Sequence, residues 1–258
     1  MNRIDQLFSK KQGNILSVYF TAGYPGLYDT VPIITALERS GADMIEIGIP
    51  FSDPLADGPV IQKSSQQALA NGMSLKLLFG QLRNIRNTCR LPLLLMGYLN
   101  PVLRFGFEKF LDEVSAVGID GVILPDLPPE ECETHYADLF EKKGICPVML
   151  VTPQTSPERI RKIDSLTKGF LYMVSSAATT GSGKDPFKLH LDYFKSMDSM
   201  ELKSPRLVGF GISDRKSFLQ ACNHARGAII GSAFIRALET TTDIAGATKA
   251  FVTSIVPA

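Results

Sequence analysis

Short apolar stretches alternate with amphipathic ones along the chain, and this alternation predicts its secondary structure. Eight stretches are near-continuous runs of aliphatic and β-branched residues, as in strands that are covered on both faces. They lie near Ile15–Thr21, Met44–Ile49, Leu93–Tyr98, Gly121–Leu124, Pro147–Val151, Phe170–Ser175, Leu207–Gly211 and Ala228–Gly231. The pattern therefore predicts eight strands that are buried on both sides.

The stretches between these strands have apolar residues at helical spacing, and glycine or proline often stands at their ends. Helices are predicted near Thr30–Ser40, Gln62–Ala70, Leu75–Asn87, Phe107–Val117, Pro129–Lys143, Pro157–Leu166, Pro186–Ser196, Asp214–Asn223 and Asp243–Ser254. Strands that alternate with helices need crossover connections, which make the sheet parallel.

Eight such units in 258 residues predict an α/β protein with one (β/α)₈ barrel as its single domain. Extra short helices are expected at the N-terminus and in the βα loops. The alternative is an open doubly wound sheet, although neither G-x-G-x-x-G nor G-x-x-x-x-G-K-[ST] occurs to support nucleotide binding.

Charge and cysteine content exclude several classes of protein. Lys and Arg number 27 and Asp and Glu number 26, so the net charge of +1 offers no electrostatic reason to expect a nucleic-acid or membrane partner. No apolar run approaches the roughly 20 residues of a membrane helix, and the charged N-terminus has no signal-peptide stretch. The four cysteines lack C-x-x-C spacing and do not cluster with histidines. We therefore expect no metal site and a cytoplasmic location, although four cysteines can also form two disulfides.

Glu46 interrupts the otherwise apolar strand Met44–Ile49. Alternation puts Ile45, Ile47 and Ile49 on the face that the helices cover, so that Glu46 points into the barrel. A carboxylate among aliphatic groups is costly when ionised, and its pKa should rise towards neutrality, where one group can both give and take protons. The alternative is a structural glutamate that is paired with a buried Lys or Arg.

The loop after this strand carries two aspartates, Asp53 and Asp57, among three prolines and a glycine. A stiff loop suits a catalytic carboxylate, because a misplacement of ~1 Å can cost about 100-fold in rate. Aspartates also form turns, and for Asp53 this role has equal weight. For Asp57 a catalytic role is favoured because Glu46 lies on the preceding strand.

Glycine-containing segments follow the sixth, seventh and eighth predicted strands, at 178–183, 209–213 and 231–233. Barrels commonly hold phosphate between the loops after strands 7 and 8, through backbone N–H groups that glycine lets approach closely. A phosphorylated substrate is therefore expected. Tyr172 and Phe20 lie on strands from which they would line the pocket or simply pack in the core.

The segment Glu46–Gln62 closely resembles the signature of tryptophan synthase alpha chains, E-x-G-x-P-F-S-D-P-x-A-D-G-P-x-I-Q. The similarity extends to Phe20–Pro25, Met96–Pro101, Asp126–Pro128, Thr180–Gly181 and Gly209–Ile212. The resemblance implies a barrel lyase that cleaves indole-3-glycerol phosphate to indole and glyceraldehyde 3-phosphate. It implies no metal and no organic cofactor in this chain.

The resemblance also assigns roles to individual residues. Glu46 would be the principal acid/base group, which moves protons at the indole C3 and the glycerol hydroxyl. Asp57 would hold the indole N–H and stabilise the positive charge on the ring. The substrate pocket would include Phe20, Tyr98, Tyr172 and Thr180, and phosphate would bind at Gly181, Gly211, Gly231 and Ser232.

A partner follows from the same resemblance, namely a beta chain that uses pyridoxal phosphate to join indole to serine. Two alpha and two beta chains would form a heterotetramer, in which indole passes directly between subunits. The loops that would meet the beta chain carry Asp53, Pro54, Asn100 and Pro101.

One departure from the family concerns the loop after the sixth strand. Family members commonly show Arg-Ser-Gly-Val-Thr-Gly there, whereas this chain has Ser-Ala-Ala-Thr-Thr-Gly at 176–181. Closure over the substrate would persist with altered stiffness. Two other functions stay open: an indole-glycerol-phosphate synthase, which usually needs a strand-end lysine that we do not find, and a non-catalytic alpha chain that only activates its beta partner.

Overall fold

The computed structural model describes residues 2–174 and 191–256. The described residues form one sheet of nine parallel strands, in the order β5-β4-β3-β2-β1-β9-β8-β7-β6. The strands are β1 Ile15–Thr21, β2 Met44–Gly48, β3 Leu93–Met96, β4 Gly121–Ile123, β5 Cys146–Val148, β6 Leu150–Val151, β7 Leu171–Val174, β8 Arg206–Gly209 and β9 Gly227–Ile230. Almost every strand residue is buried, as their apolar character predicts.

The two ends of this sheet meet in one short segment, residues 146–151. β5 pairs with β4, and β6 pairs with β7. The first half of the predicted fifth strand is therefore hydrogen-bonded to one end of the sheet, and the second half to the other end. Only Met149 separates them, and its carbonyl accepts a hydrogen bond from the backbone N–H of Tyr172. The sheet therefore closes on itself, which leaves no open edge. The predicted eight-stranded barrel is confirmed.

Helices connect the strands and cover the outside of the barrel. They are α1 Arg3–Lys10, α2 Thr30–Ser40, α3 Pro59–Ala70, α4 Leu75–Leu82, α5 Leu99–Phe105, α6 Phe107–Ala116, α7 Pro129–Glu131, α8 Ala137–Lys143, α9 Pro157–Leu166, α10 Leu191–Ser199, α11 Arg215–Cys222, α12 Ser232–Leu238 and α13 Ile244–Ile255. The predicted helix Leu75–Asn87 ends early, at Leu82, and a separate 3₁₀ turn follows at Ile85–Asn87. The first part of the predicted helix Pro186–Ser196 lies outside the described residues.

Side-chain caps explain where several helices begin. The side chains of Asn2, Ser74 and Ser156 each accept a hydrogen bond from a backbone N–H in the first turn of α1, α4 and α9. Such caps satisfy N–H groups that have no partner inside the helix. Asp214 does the same for α11 and forms a reciprocal capping box with Ser217.

Helix α1 covers the N-terminal end of the barrel. Ile4 is fully buried, and a Cβ added to Gly121 or Gly169 would lie within about 3.0 Å of its side chain. Asp120, just before β4, bonds to Arg3 at 3.0 Å and also to Arg86. These contacts close the end that lies opposite the loops expected to bind substrate. No helix in the described ranges is long and apolar enough to cross a membrane.

Candidate active site

Glu46 lies in the interior of the barrel. It is fully buried, and the Ser17 hydroxyl donates a hydrogen bond to its Oε1 at 2.9 Å. Its Oε2 has no hydrogen-bond partner among the described residues. Burial raises the pKa of Glu46 to about 8, although the hydrogen bond from Ser17 opposes the rise. No Lys or Arg contributes to this shift within the described ranges, which argues against a structural ion pair.

Asp57 lies near the mouth of the barrel, in the loop between β2 and α3. Burial raises the pKa of its carboxyl group to about 6, and a hydrogen bond from the Tyr98 hydroxyl acts in the opposite direction. The same hydroxyl accepts a hydrogen bond from the backbone N–H of Ala56 at 3.0 Å. The Tyr98 ring lies 5.1 Å from the ring of Phe51, between centroids. Tyr98 therefore holds the loop between β2 and α3 at two adjacent residues, Ala56 and Asp57.

Two tyrosines, Tyr19 on β1 and Tyr172 on β7, surround the carboxylates. Both side chains are buried, and burial, together with the nearby charges of Glu46 and Asp57, raises the pKa of both hydroxyls. A Cβ on Gly48 would lie 2.2 Å from the Tyr19 hydroxyl, and a Cβ on Gly209 would lie 2.2 Å from that of Tyr172. Both positions therefore favour glycine, because a larger residue would collide with the tyrosine side chain of the neighbouring strand.

The structure places Tyr19, and not Phe20, on the strand face that carries Glu46. Tyr19 is the register partner of Glu46, whereas Phe20 pairs with Ile47. Successive side chains of a strand point to opposite faces, so that Phe20 packs between the sheet and the helices. The prediction that Phe20 lines the pocket is therefore corrected: the preceding residue, Tyr19, takes that place. The alternation of side chains along β1 does not by itself show which residues face Glu46. That also requires the register of β1 against β2, which the sequence does not give.

The predicted phosphate site lies at the ends of β8 and β9. These strands are neighbours, so the turns at Gly211 and Gly231 meet at the mouth. Gly211 has φ of 75°, a conformation that suits glycine, and Gly231 precedes Ser232, the first residue of α12. Both turns thus present backbone groups on the side of the barrel that carries Asp57. Thr180 and Gly181, also predicted for this region, lie outside the described residues.

The residues predicted to meet a partner differ in their exposure. Asp53 and Asn100 are exposed and Pro101 is half-buried, but Pro54 is buried. Pro54 therefore offers little surface to a partner. The next residue, Leu55, was not predicted, and its side chain is 89% exposed.

Residues 2–174 and 191–256 contain no group of three or more His, Cys, Asp and Glu side chains placed to hold a metal ion. The four cysteines are free thiols, and burial raises the pKa of Cys146 to about 12, which disfavours the reactive thiolate. The titratable side chains with raised pKa values around this part of the barrel are the carboxyl groups of Glu46 and Asp57 and the tyrosine hydroxyls.

The chain resembles known proteins over nearly its whole length. A family model described as tryptophan synthase alpha chain matches residues 5–254. The alpha chain of Flavobacterium psychrophilum is 56% identical over 92% of this chain and 94% of its own length. That of Bacteroides thetaiotaomicron is 56% identical over 94% and 95%.

Solved structures agree with this result. The tryptophan synthase alpha chain of Legionella pneumophila superposes with a TM-score of 0.85 at 35% identity and covers 99% of this chain and 96% of that one. A tryptophan synthase complex from Pyrococcus furiosus gives a TM-score of 0.83 at 34% identity, with 93% and 97% covered. These matches confirm the resemblance seen in the segment Glu46–Gln62. This chain belongs to the tryptophan synthase alpha chain family.

Proposed function

We propose that Glu46 and Asp57 together carry out the cleavage of indole-3-glycerol phosphate to indole and glyceraldehyde 3-phosphate. The chain is a lyase of tryptophan biosynthesis, as the family shows. The observation that carries the residue assignment is two carboxyl groups, Glu46 fully buried and Asp57 partly buried, whose pKa values lie on either side of neutrality. Glu46, at about 8, is mostly protonated at neutral pH, and Asp57, at about 6, is mostly ionised.

The first step transfers a proton from Glu46 to C3 of the indole ring. Protonation converts the ring into an indolium cation, in which the positive charge lies largely at the ring nitrogen. Asp57 accepts a hydrogen bond from this N–H and stabilises the charge as it develops. A fixed carboxylate in a site shielded from water is far more effective than one in bulk solvent.

The second step returns the proton to Glu46. Its carboxylate takes the proton of the glycerol hydroxyl next to the ring, and the carbon–carbon bond breaks as its electron pair moves into the ring. Indole leaves with a hydrogen on C3, and the glycerol part leaves as an aldehyde. Glu46 ends protonated, as it began, so atoms and electrons balance without a co-reactant. A group with a pKa near the working pH suits both transfers.

The remaining site residues bind and orient the substrate. The rings of Tyr19 and Tyr172 lie beside the carboxylates, where they would pack against the indole and exclude water. The turns at Gly211 and Gly231, with Ser232, would hold the phosphate, and phosphate binding would fix the glycerol at Glu46. Gly181 at the phosphate and Thr180 in loop closure remain predictions from the family.

The partner of this chain is the tryptophan synthase beta chain. We expect pyridoxal phosphate to be bound by that chain, and indole to pass to it from the mouth of the barrel. The surface that would meet it carries Asp53, Leu55, Asn100 and Pro101. We further propose that residues 1–258 form a single domain, that the assembly contains two alpha and two beta chains, and that it works in the cytoplasm.

The purified chain, incubated with indole-3-glycerol phosphate, tests this proposal. Indole and glyceraldehyde 3-phosphate should appear in equal amounts, and a beta chain should increase the rate. Absence of indole both with and without the beta chain would overturn the proposal. A chain that raises beta-chain turnover but releases no indole would be an activator instead.

A further inference from the structure

Ser17 is a small polar residue on the face of β1 that also carries Tyr19, the register partner of Glu46. It lies on β1 between Leu16 and Val18, and all three residues are fully buried. A buried hydroxyl is costly unless it is hydrogen-bonded. The bond that the Ser17 hydroxyl donates within the site goes to Oε1 of Glu46, at 2.9 Å. The position of this hydroxyl thus connects it directly to the proposed acid/base group.

The two oxygens of Glu46 differ because of this contact. Oε1 accepts the bond from Ser17, whereas Oε2 has no partner in the described part of the chain. The terminal torsion of a glutamate is broad, so one hydrogen bond can decide how the carboxyl plane is turned. We propose that Ser17 is a positioning residue that holds Oε1 and thereby presents Oε2 to the substrate. The inference rests on the proposed role of Glu46 and adds which oxygen performs it.

The contact also determines where the proton of Glu46 resides. While Ser17 donates to Oε1, the proton of the neutral carboxyl group belongs on Oε2. Oε2 then gives the proton to indole C3 and, after the ring is protonated, takes the proton of the glycerol hydroxyl. Both transfers use one oxygen, and Ser17 keeps the other oxygen in place throughout.

The same bond influences the pKa of Glu46. A hydrogen bond to a carboxylate favours the charged form, so the Ser17 hydroxyl lowers the pKa of Glu46 against the effect of burial. Among the residues that the structure describes, the titratable groups that interact with Glu46 or share its surroundings are Tyr19 on β1, Tyr172 on β7 and Asp57 in the loop after β2. Its register partner on β3, Leu94, is apolar. Loss of the hydroxyl should therefore raise the pKa of Glu46 while these groups stay in place.

Substitution of Ser17 by two residues of similar shape tests the proposal. Ser17→Thr keeps the hydroxyl and adds a methyl group, and Ser17→Val has the shape of threonine with a methyl group in place of the hydroxyl. Ser17→Val should lower kcat by about tenfold, as expected for a lost hydrogen bond to a charged group, with little change in KM. The alkaline limb of its pH profile should move to higher pH. Ser17→Thr should retain most of the activity and the wild-type profile.

Two further variants separate positioning from packing. Ser17→Ala removes the hydroxyl without adding volume and should behave like Ser17→Val. Thr248→Val exchanges a hydroxyl for a methyl group at a fully buried position of α13, where the hydroxyl has no hydrogen-bond partner among the described residues. This control should leave kcat and the pH profile unchanged.

Three results would overturn the proposal: wild-type kcat and pH profile in Ser17→Ala, an equal loss in Ser17→Thr and Ser17→Val, or a similar loss in Thr248→Val. NMR titration of the carboxyl carbon of Glu46 provides a readout without substrate. If the wild type released no indole, the proposed function would fail. A pKa of Glu46 that is the same in Ser17→Ala as in the wild type would overturn the Ser17 contact separately.

Discussion

The hydroxyl of Tyr98 donates a hydrogen bond to Asp57 and accepts one from the backbone N–H of Ala56. Tyr98, which follows β3, thus holds the loop after β2 in place at Asp57. The bond to Asp57 favours its ionised form, which is the form that stabilises a cationic ring. Tyr98 therefore influences both the place and the charge of Asp57.

Tyr98→Phe should reduce kcat/KM for indole-glycerol-phosphate cleavage by about tenfold at neutral pH, since it removes a hydrogen bond to a charged group. The pKa of Asp57 should rise, which moves the acidic limb of the pH profile to higher pH. Steady-state kinetics across the pH range measures both effects. Tyr136→Phe, whose ring stacks on Phe107 in the helical layer, serves as the control. An unshifted acidic limb in Tyr98→Phe would contradict the proposed contact.

The wild-type pH profile of kcat/KM should be bell-shaped. Activity should rise as Asp57 ionises, through a pKa of about 6, and fall as Glu46 loses its proton, through a pKa of about 8. Asp57→Asn should remove the acidic limb and lower activity by at least about 100-fold, because an amide has no charge to stabilise the ring. A wild-type optimum below about pH 5 or above about pH 9 would be inconsistent with this assignment.

Glu46→Gln should lower cleavage by about 100-fold or more, because it removes a proton donor and acceptor. The same substitution should stabilise the folded protein at high pH, although it lowers activity. The pKa of Glu46 is 4.5 when unperturbed and about 8 in the fold, so the folded state binds the proton more tightly. Wild-type stability should therefore fall as pH rises from about 4.5 to about 8, as the buried group is forced to ionise.

Thermal unfolding checks this sign. Above about pH 8, Glu46→Gln should melt higher than the wild type, and each kcal/mol corresponds to about 2–4 °C for a chain of this size. Below about pH 4.5, where the wild-type carboxyl group is neutral in both states, the difference should disappear. A variant that melts lower than the wild type at high pH would argue that Glu46 is stabilised by a charge partner.

Gly48→Ala should damage the site from within β2. Its Cβ would lie 2.2 Å from the Tyr19 hydroxyl, so the ring must move away from the carboxylates. Such overpacking typically costs about 1–3 kcal/mol, and cleavage should fall by at least about tenfold. Gly80→Ala is the control, because nothing lies within 4 Å of the added Cβ in this helical position. There, alanine should stabilise the protein by up to about 1 kcal/mol.

Leu55→Asp should weaken binding of the beta chain. The Leu55 side chain is 89% exposed in the loop that also carries Asp53, and an exposed apolar group of this size is suited to burial in an interface. Titration calorimetry with a beta chain should show at least about a tenfold loss of affinity. Leu219→Asp, at a partly exposed leucine of α11, should bind like the wild type. Equal affinities for all three proteins would show that the Leu55 side chain does not contribute to the interface.

The positions of the strands were predictable because residues buried on both faces leave a continuous apolar run. Glu46 stood out in such a run, and its raised pKa follows from the same burial. The break at Met149 was not predictable, since both halves of the fifth strand are apolar. Local pattern also could not show that Leu55 is exposed and Pro54 buried, because exposure in a loop depends on what packs around it.

The sequence alone determined that this is a barrel of alternating strands and helices, that an acid lies inside it, and to which family it belongs. These features depend on residue type and spacing within one segment. Only the tertiary structure decided that Tyr19 and not Phe20 faces that acid, and that Ser17 holds one of its two oxygens. The reason is that strand register brings together residues far apart along the chain, and a shift of one residue turns a side chain to the other face of the sheet.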